Sequence, residues 1–210
     1  MSRGAVRLLV CLGITLAGVA TAAAGPREER GRANLGAADA VKAQRGEFGK
    51  ALAAAARQQI SYFVLYNPAY QKIPYPMGDV PSYYGVCTDV VVRAYRALGI
   101  DLQVQVQKAG VGTGDSNIDH RRVEVLRRYF ARSGTSLPIT KSPDDYQAGD
   151  IVTYHLPNGW FSKTHIAIVA AEKNFGGVPL VIHNRGWGVQ AEDWLFAEKI
   201  TGHFRYSSPR

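Results

Sequence analysis

Apolar positions change their period partway along this chain. Over residues 47–60 they follow helical spacing, with Phe48, Leu52 and Ala55 near one face together with Gln59, until Asn67 and Pro68 end the pattern. Residues 88–98 repeat it: Val91, Ala94, Tyr95 and Leu98 fall at i, i+3, i+4 and i+7, and Gly99 stands where a C-terminal cap belongs. A third helix is predicted over residues 118–132, built on Val123, Leu126 and Phe130 and stopped by Gly134. Beyond Pro138 the texture becomes that of strands, at residues 149–154, 164–170, 178–183 and 201–206. The connections between these strands are too short for crossover helices. Helices first and consecutive strands afterwards therefore predict an α+β domain with an antiparallel sheet.

The N-terminus has a different character. Arg3 precedes an almost wholly apolar run from Leu8 to Val19, and Ala20, Thr21, Ala22, Ala23 and Ala24 offer small residues for cleavage. This is the pattern of a secretory signal peptide over residues 1–24, too short for a membrane span. Val10 before Cys11 argues against a lipid anchor there. Residues 25–46, rich in Gly, Ala and charge, read as a linker, and residues 47–210 as a single domain. With 46% apolar and 10% aromatic residues, that length can bury a substantial core. The mature protein is expected in the periplasm or secreted, as a monomer without a transmembrane span. The formal charge of +8 includes Arg3 and Arg7, which leave with the leader. The remaining positive excess suits an anionic partner such as cell-wall polymer, and export argues against nucleic acid.

Export also changes the cysteine count. Of two cysteines, Cys11 lies in the leader, so Cys87 remains as an unpaired thiol in a compartment that permits disulfides. Cys87 opens the helix predicted at residue 88. A helix N-terminus supplies free N–H groups and partial positive charge, which favour the thiolate, so fast alkylation at neutral pH is expected of a nucleophile here. A nucleophile needs a base, and a base needs a group that orients it. His165 begins the run Ile166, Ala167, Ile168, Val169, and His183 ends Leu180, Val181, Ile182. A hairpin through residues 173–177 brings the two imidazoles to one end of the sheet. His183 competes with Asn184, because alternation sends the two side chains to opposite faces.

These residues resemble the NlpC-type cell-wall cysteine peptidases of papain-like fold: Gly-Asp-Ile-Val at residues 149–152, His-Ile-Ala-Ile-Val at 165–169, and a strand ending in His183, all preceded by a lone cysteine at a helix start. The resemblance spans residues 75 to about 187. It implies Cys87 as nucleophile, His165 as general base, His183 as the orienting group and Tyr75, some twelve residues before the cysteine, as oxyanion stabiliser with the Cys87 amide. Where such peptidases read Asp-Cys-Ser-Gly, this chain reads Gly85-Val86-Cys87-Thr88-Asp89. That motif, with Ile118-Asp119-His120-Arg121-Arg122 and Ile182-His183-Asn184, resembles a divergent exported bacterial group catalogued as a domain of unknown function. The implied activity is hydrolysis of an amide bond in peptidoglycan stem peptides. The alternatives are a non-hydrolytic cell-wall binding or regulatory module of the same fold and a Cys/His acyltransferase.

Other residues carry weaker signals. Asp89 suits the first turn of a helix and also lies beside the thiol. His120, among Asp119, Arg121 and Arg122, suits either a solvated helix end or an anion site. Arg185 and Trp187 are placed to line a cleft and meet an anionic peptide terminus, with Trp160 and Phe161 as further groove aromatics. Loops 108–117 and 156–163 are expected to shape that cleft. His155 and His203 have no companions in the sequence that suggest a role. Cys87, His165 and His183 could together ligate zinc, but no Cys-x-x-Cys or His-Glu-x-x-His spacing supports a metal, and no cofactor motif is present. Gly110, Gly112 and Gly114 lack the strand, lysine and helix of a phosphate-binding loop and read as a flexible crossing.

Overall fold

The computed structural model describes residues 26–159 and 162–207. The predicted leader, and Trp160 and Phe161, lie outside the described residues. Helix α1 (Pro26–Gln58) starts well before the apolar stripe that marks it in the sequence. Pro26 is suited to the first helical position, and the Ala, Glu, Arg and Lys of residues 26–46 favour helix. Those residues, expected as a linker, are thus helical. From Ala40 onward α1 belongs to the compact unit that carries the site. There Leu52, Ala53 and Ala56 are buried.

Two short parallel strands, β1 (Leu65–Tyr66) and β2 (Tyr84–Gly85), lead into α2 (Cys87–Ala97). Helix α3 (Leu102–Ala109) follows, begun by the Asp101 carboxylate, which accepts the Gln103 N–H at 3.0 Å. Helix α4 (Val123–Ser133) is shorter than the pattern predicts, because residues 119–121 form a separate 3₁₀ turn. The Arg121 carbonyl there accepts the Thr88 hydroxyl at 2.9 Å, and Arg122 adopts an extended conformation at the start of α4.

The sheet comprises β3 (Thr135–Ser136), β4 (Ile151–His155), β5 (Thr164–Lys173), β6 (Pro179–Asn184), β7 (Val189–Glu192) and β8 (Lys199–Arg205). Its order is β3-β8-β4-β5-β6-β7, antiparallel throughout. The fold is therefore α+β, with the thiol-bearing helix packed on an antiparallel sheet. Both faces of the central strands are covered, which is why they read as continuous apolar runs. Ile151, Ile166, Ile168, Ile182 and Phe204 meet the helices. Val152, Tyr154, Ala167, Val169 and Val181 meet Tyr146 and Leu195, the latter from the β7–β8 connection. Among the described residues no helix is long and apolar enough to cross a membrane.

The crossing at residues 110–118 is tightly organised. The buried Asp119 carboxylate accepts the Thr113 and Gly114 N–H groups, each at 2.8 Å, and the Thr113 hydroxyl at 2.9 Å. A Cβ on Gly112 would lie 2.3 Å from Asp119 Oδ2. Gly112→Ala is expected to cost about 1–3 kcal/mol, the usual scale of forced overpacking, measured as a loss in denaturant stability. A cost within 0.3 kcal/mol would show that the loop relaxes freely. This loop does not shape the cleft: Tyr70 bonds Asp115, and Ile73 N–H bonds Asn117, tying it to residues 70–73.

Candidate active site

The site forms where two strands part. The β5–β6 ladder runs from Ile168, opposite Ile182, toward the hairpin, and the first residues of β5 lie ahead of it. The start of α2 enters the opening. Cys87 packs among the helix-side core residues at 3% exposure, and its Sγ accepts the backbone N–H groups of Ile166 and Thr88. Asn184 lies on this same face, donating to Gly85 O at 3.4 Å and accepting the Gly186 N–H at 2.9 Å.

His165 and His183 pack on the other face, as alternation along β5 and β6 requires. His165 Nε2 lies 2.9 Å from His183 Nδ1, so the residue that meets His165 is His183 and not Asn184. Trp194 packs against both imidazoles, with ring centroids 5.5 and 5.1 Å away. The chain of contacts then continues past anything evident in the sequence: His183 Nε2 lies 2.6 Å from Glu192 Oε2. Strand β7 places Glu192 opposite Val181, diagonal to His183 on the same face. Arg185 grips Glu192 in a fork, Nε to Oε2 at 2.9 Å and Nη2 to Oε1 at 2.8 Å, and its guanidinium lies 4.9 Å from the Trp194 ring centre. Arg185, expected to meet an anionic terminus of a substrate, is thus engaged by a carboxylate of the protein itself.

Burial keeps both imidazoles neutral. His165 is pushed well below its usual range by desolvation, then by His183 and Arg185, and His183 is lowered by desolvation against the opposing pull of Glu192. Hydrogen bonds from His183 and Arg185 hold the Glu192 carboxyl down to about 2. The thiol departs from expectation. Burial, with the Asp89 carboxylate adding to it, pushes Cys87 up to about 12, outweighing the N–H groups of the helix start. Cys87 is therefore a protonated thiol at rest, and alkylation is expected to be slow at pH 7 and to climb with pH beyond 9. Iodoacetamide kinetics across pH 6–10 check this; a rate plateau near neutrality would show a thiolate–imidazolium pair instead.

Tyrosine 75 does not occupy the place expected of it. It is 49% exposed, in a loop that α3 holds through Gln103 Nε2 to Pro74 O and Asp101 to Met77 N–H. The tyrosine that reaches the thiol is Tyr66 on β1, whose hydroxyl is hydrogen-bonded to Cys87. Burial raises Tyr66 far above its usual value, so this hydroxyl keeps its proton. Tyr66 and His165 line a cleft of about 570 Å³ together with Leu156, Arg185, Trp187 and Trp194. Trp187 stands 87% exposed at this cleft, and loop residues Asn158, Gly159 and Ser162 also border it.

Asp89 and His120 are both buried. Asp89 accepts the Val86 N–H at 2.7 Å and a bidentate pair from Arg121, Nε to Oδ1 at 2.8 Å and Nη2 to Oδ2 at 2.9 Å. His120 is 2% exposed, so it is neither a solvated helix end nor a surface anion site; burial brings it down to about 4. His203 does have companions, bonding Asp150 at 2.9 Å beside an Arg205–Asp150 fork, deep in the sheet. Among the described residues no group of three or more His, Cys, Asp or Glu side chains is arranged to hold a metal ion.

A thiol at a helix start, packed on an antiparallel sheet whose adjoining strands carry a coupled imidazole pair, is the class of site these elements define. The chain belongs to the family described as "Domain of unknown function (DUF1287)", whose model matches residues 53–206. It is 47% identical over 168 residues to "Uncharacterized protein YijF" of Escherichia coli (strain K12), a match covering 74% of this chain and 80% of that relative. Among solved structures it is similar to NlpC2 from Trichomonas vaginalis, with a TM-score of 0.47, 18% identity and coverage of 77% of this chain and 47% of that one. NlpC1 from the same organism gives a TM-score of 0.43, 16% identity and coverage of 75% and 44%. The chain thus spans less than half of either solved structure.

Proposed function

We propose that this protein is an exported thiol hydrolase that cleaves an amide bond in peptidoglycan stem peptides. The observation that carries the reading is that Cys87 has its Sγ on the N–H of Ile166, while the residue just before it on β5, His165, is paired with His183 and lines an open cleft. His165 uses Nε2 on His183, so its Nδ1 is the nitrogen left to take the thiol proton. The sulfur then attacks the carbonyl carbon, and the oxyanion is held by the Cys87 amide and the Tyr66 hydroxyl, the latter in place of Tyr75. The imidazolium returns its proton to the departing amine. Water, deprotonated by His165, hydrolyses the thioester and frees the thiol.

The positive charge of the chain suits an anionic polymer, and an exposed Trp187 beside Trp194 offers apolar walls for a peptide. The test is digestion of purified peptidoglycan by the mature protein, with fragments identified by mass spectrometry; new fragments that vanish with Cys87→Ala support the reading and name the bond. One observation favours a second reading, a binding module without turnover: the thiol is almost fully covered and protonated at rest. Wall binding by both wild type and Cys87→Ala, with no fragments from either, would select it.

A further inference from the structure

We infer that Glu192, gripped by Arg185, is a positioning residue that decides which nitrogen of His165 carries the lone pair. The inference rests on the proposed role of His165 as base. Its argument is one of counting protons along a closed chain of contacts. Arg185 is always protonated and donates to both oxygens of Glu192, which fixes the carboxylate as an ionised acceptor. An acceptor 2.6 Å from His183 Nε2 requires the hydrogen on that nitrogen. His183 is fully buried, which disfavours a second proton on the ring, so its Nδ1 bears the lone pair. That lone pair sits 2.9 Å from His165 Nε2, which must then be the N–H. The only lone pair left on His165 is at Nδ1, the form a base needs.

The two-ring chain has a second, equally bonded arrangement. If His183 carried its proton on Nδ1, it would donate to His165 Nε2, and His165 would hold its proton on Nδ1 and be unable to accept one. Nothing within the pair of imidazoles chooses between these states. The carboxylate does, from two residues away in the relay, and Trp194 against both rings and Arg185 keeps the partners in register. Glu192→Ala is the informative change. It removes the acceptor that holds the hydrogen on His183 Nε2 and leaves Arg185, which can only donate, as the charged neighbour on that side, so His183 Nε2 turns to accepting and the whole chain reverses.

The test is long-range ¹H–¹⁵N NMR of histidine-labelled protein, which reads the protonation of each ring nitrogen without any substrate. Wild type is expected to show His165 and His183 both as Nε2–H forms, and Glu192→Ala to convert both to Nδ1–H. Peptidoglycan turnover in that variant is expected to fall by about 10²–10⁴-fold, the scale of lost general-base function, with KM little changed. Arg185→Gln, which spares the carboxylate, is expected to keep the wild-type tautomers and serves if Glu192→Ala does not fold. A wild-type His165 protonated on Nδ1, or tautomers unchanged in folded Glu192→Ala, would overturn the inference. Tautomers as inferred in a protein that releases no wall fragments would uphold the relay and sink only the hydrolase.

Discussion

Cys87→Ala is expected to abolish release of peptidoglycan fragments, with a fall of at least about 10⁴-fold, on the scale seen when a catalytic triad loses its nucleophile. The size follows from the thioester needing the sulfur: His165 acts as base, His183 orients it, and Tyr66 keeps its proton. Fold should survive. The side chain is small, it lies at the start of α2, and the removed sulfur leaves the Ile166 and Thr88 N–H groups and the Tyr66 hydroxyl short of an acceptor. Circular dichroism and melting of the variant should therefore track wild type within a few degrees while turnover is lost. Undiminished turnover in Cys87→Ala would remove the thiol from the chemistry altogether.

The largest effect on stability is expected at Arg121. Its pair with Asp89 is almost fully buried, with side-chain exposures of 2% and 3%, and the Asp89 carboxylate also holds the Val86 N–H just before the nucleophile. Arg121→Met strands that carboxylate in the core, and breaking a buried pair in this way costs about 3–5 kcal/mol. A domain of this size has only about 5–15 kcal/mol in total, so the variant should lose a fifth or more of its stability in urea unfolding. Adding Asp89→Asn, which removes the stranded charge while keeping an acceptor for Val86, is expected to restore more than half of the loss. A loss below about 1 kcal/mol for the single variant would mean that the pair is solvated in solution. Loss of Cys87-dependent activity beyond the loss of folded protein would show that the pair also sets the thiol's position.

Where patterning was strong, the sequence was a good guide. The stripe Val91, Ala94, Tyr95, Leu98 and the runs at Ile151, Ile166 and Val181 are local signals, and the elements appear there. Helix α3 escaped notice because Leu102, Gln103, Val104, Gln105, Val106 and Gln107 alternate with the period of a strand. It is a helix because Asp101 caps it and because Gln103 is buried, bonding Pro74 O, Ser116 O and the Gly78 N–H. Those partners are remote in sequence, so no local pattern encodes them. Strand β7 was missed for its length of four residues, and Glu192 was missed with it.

The sequence by itself determined the α+β class, the thiol at the start of α2, and the two histidines on neighbouring antiparallel strands, because each depends on side-chain period and residue order alone. Tertiary structure decided the rest. Tyr66 rather than Tyr75 meets the thiol because parallel pairing of β1 with β2 carries it there across a loop. Arg185 turns from a substrate contact into the clamp on Glu192 because β7 folds back beside β6. Cys87 is protonated rather than ionised because desolvation, a sum over everything packed around the sulfur, outweighs the helix-start contribution that sequence position reveals.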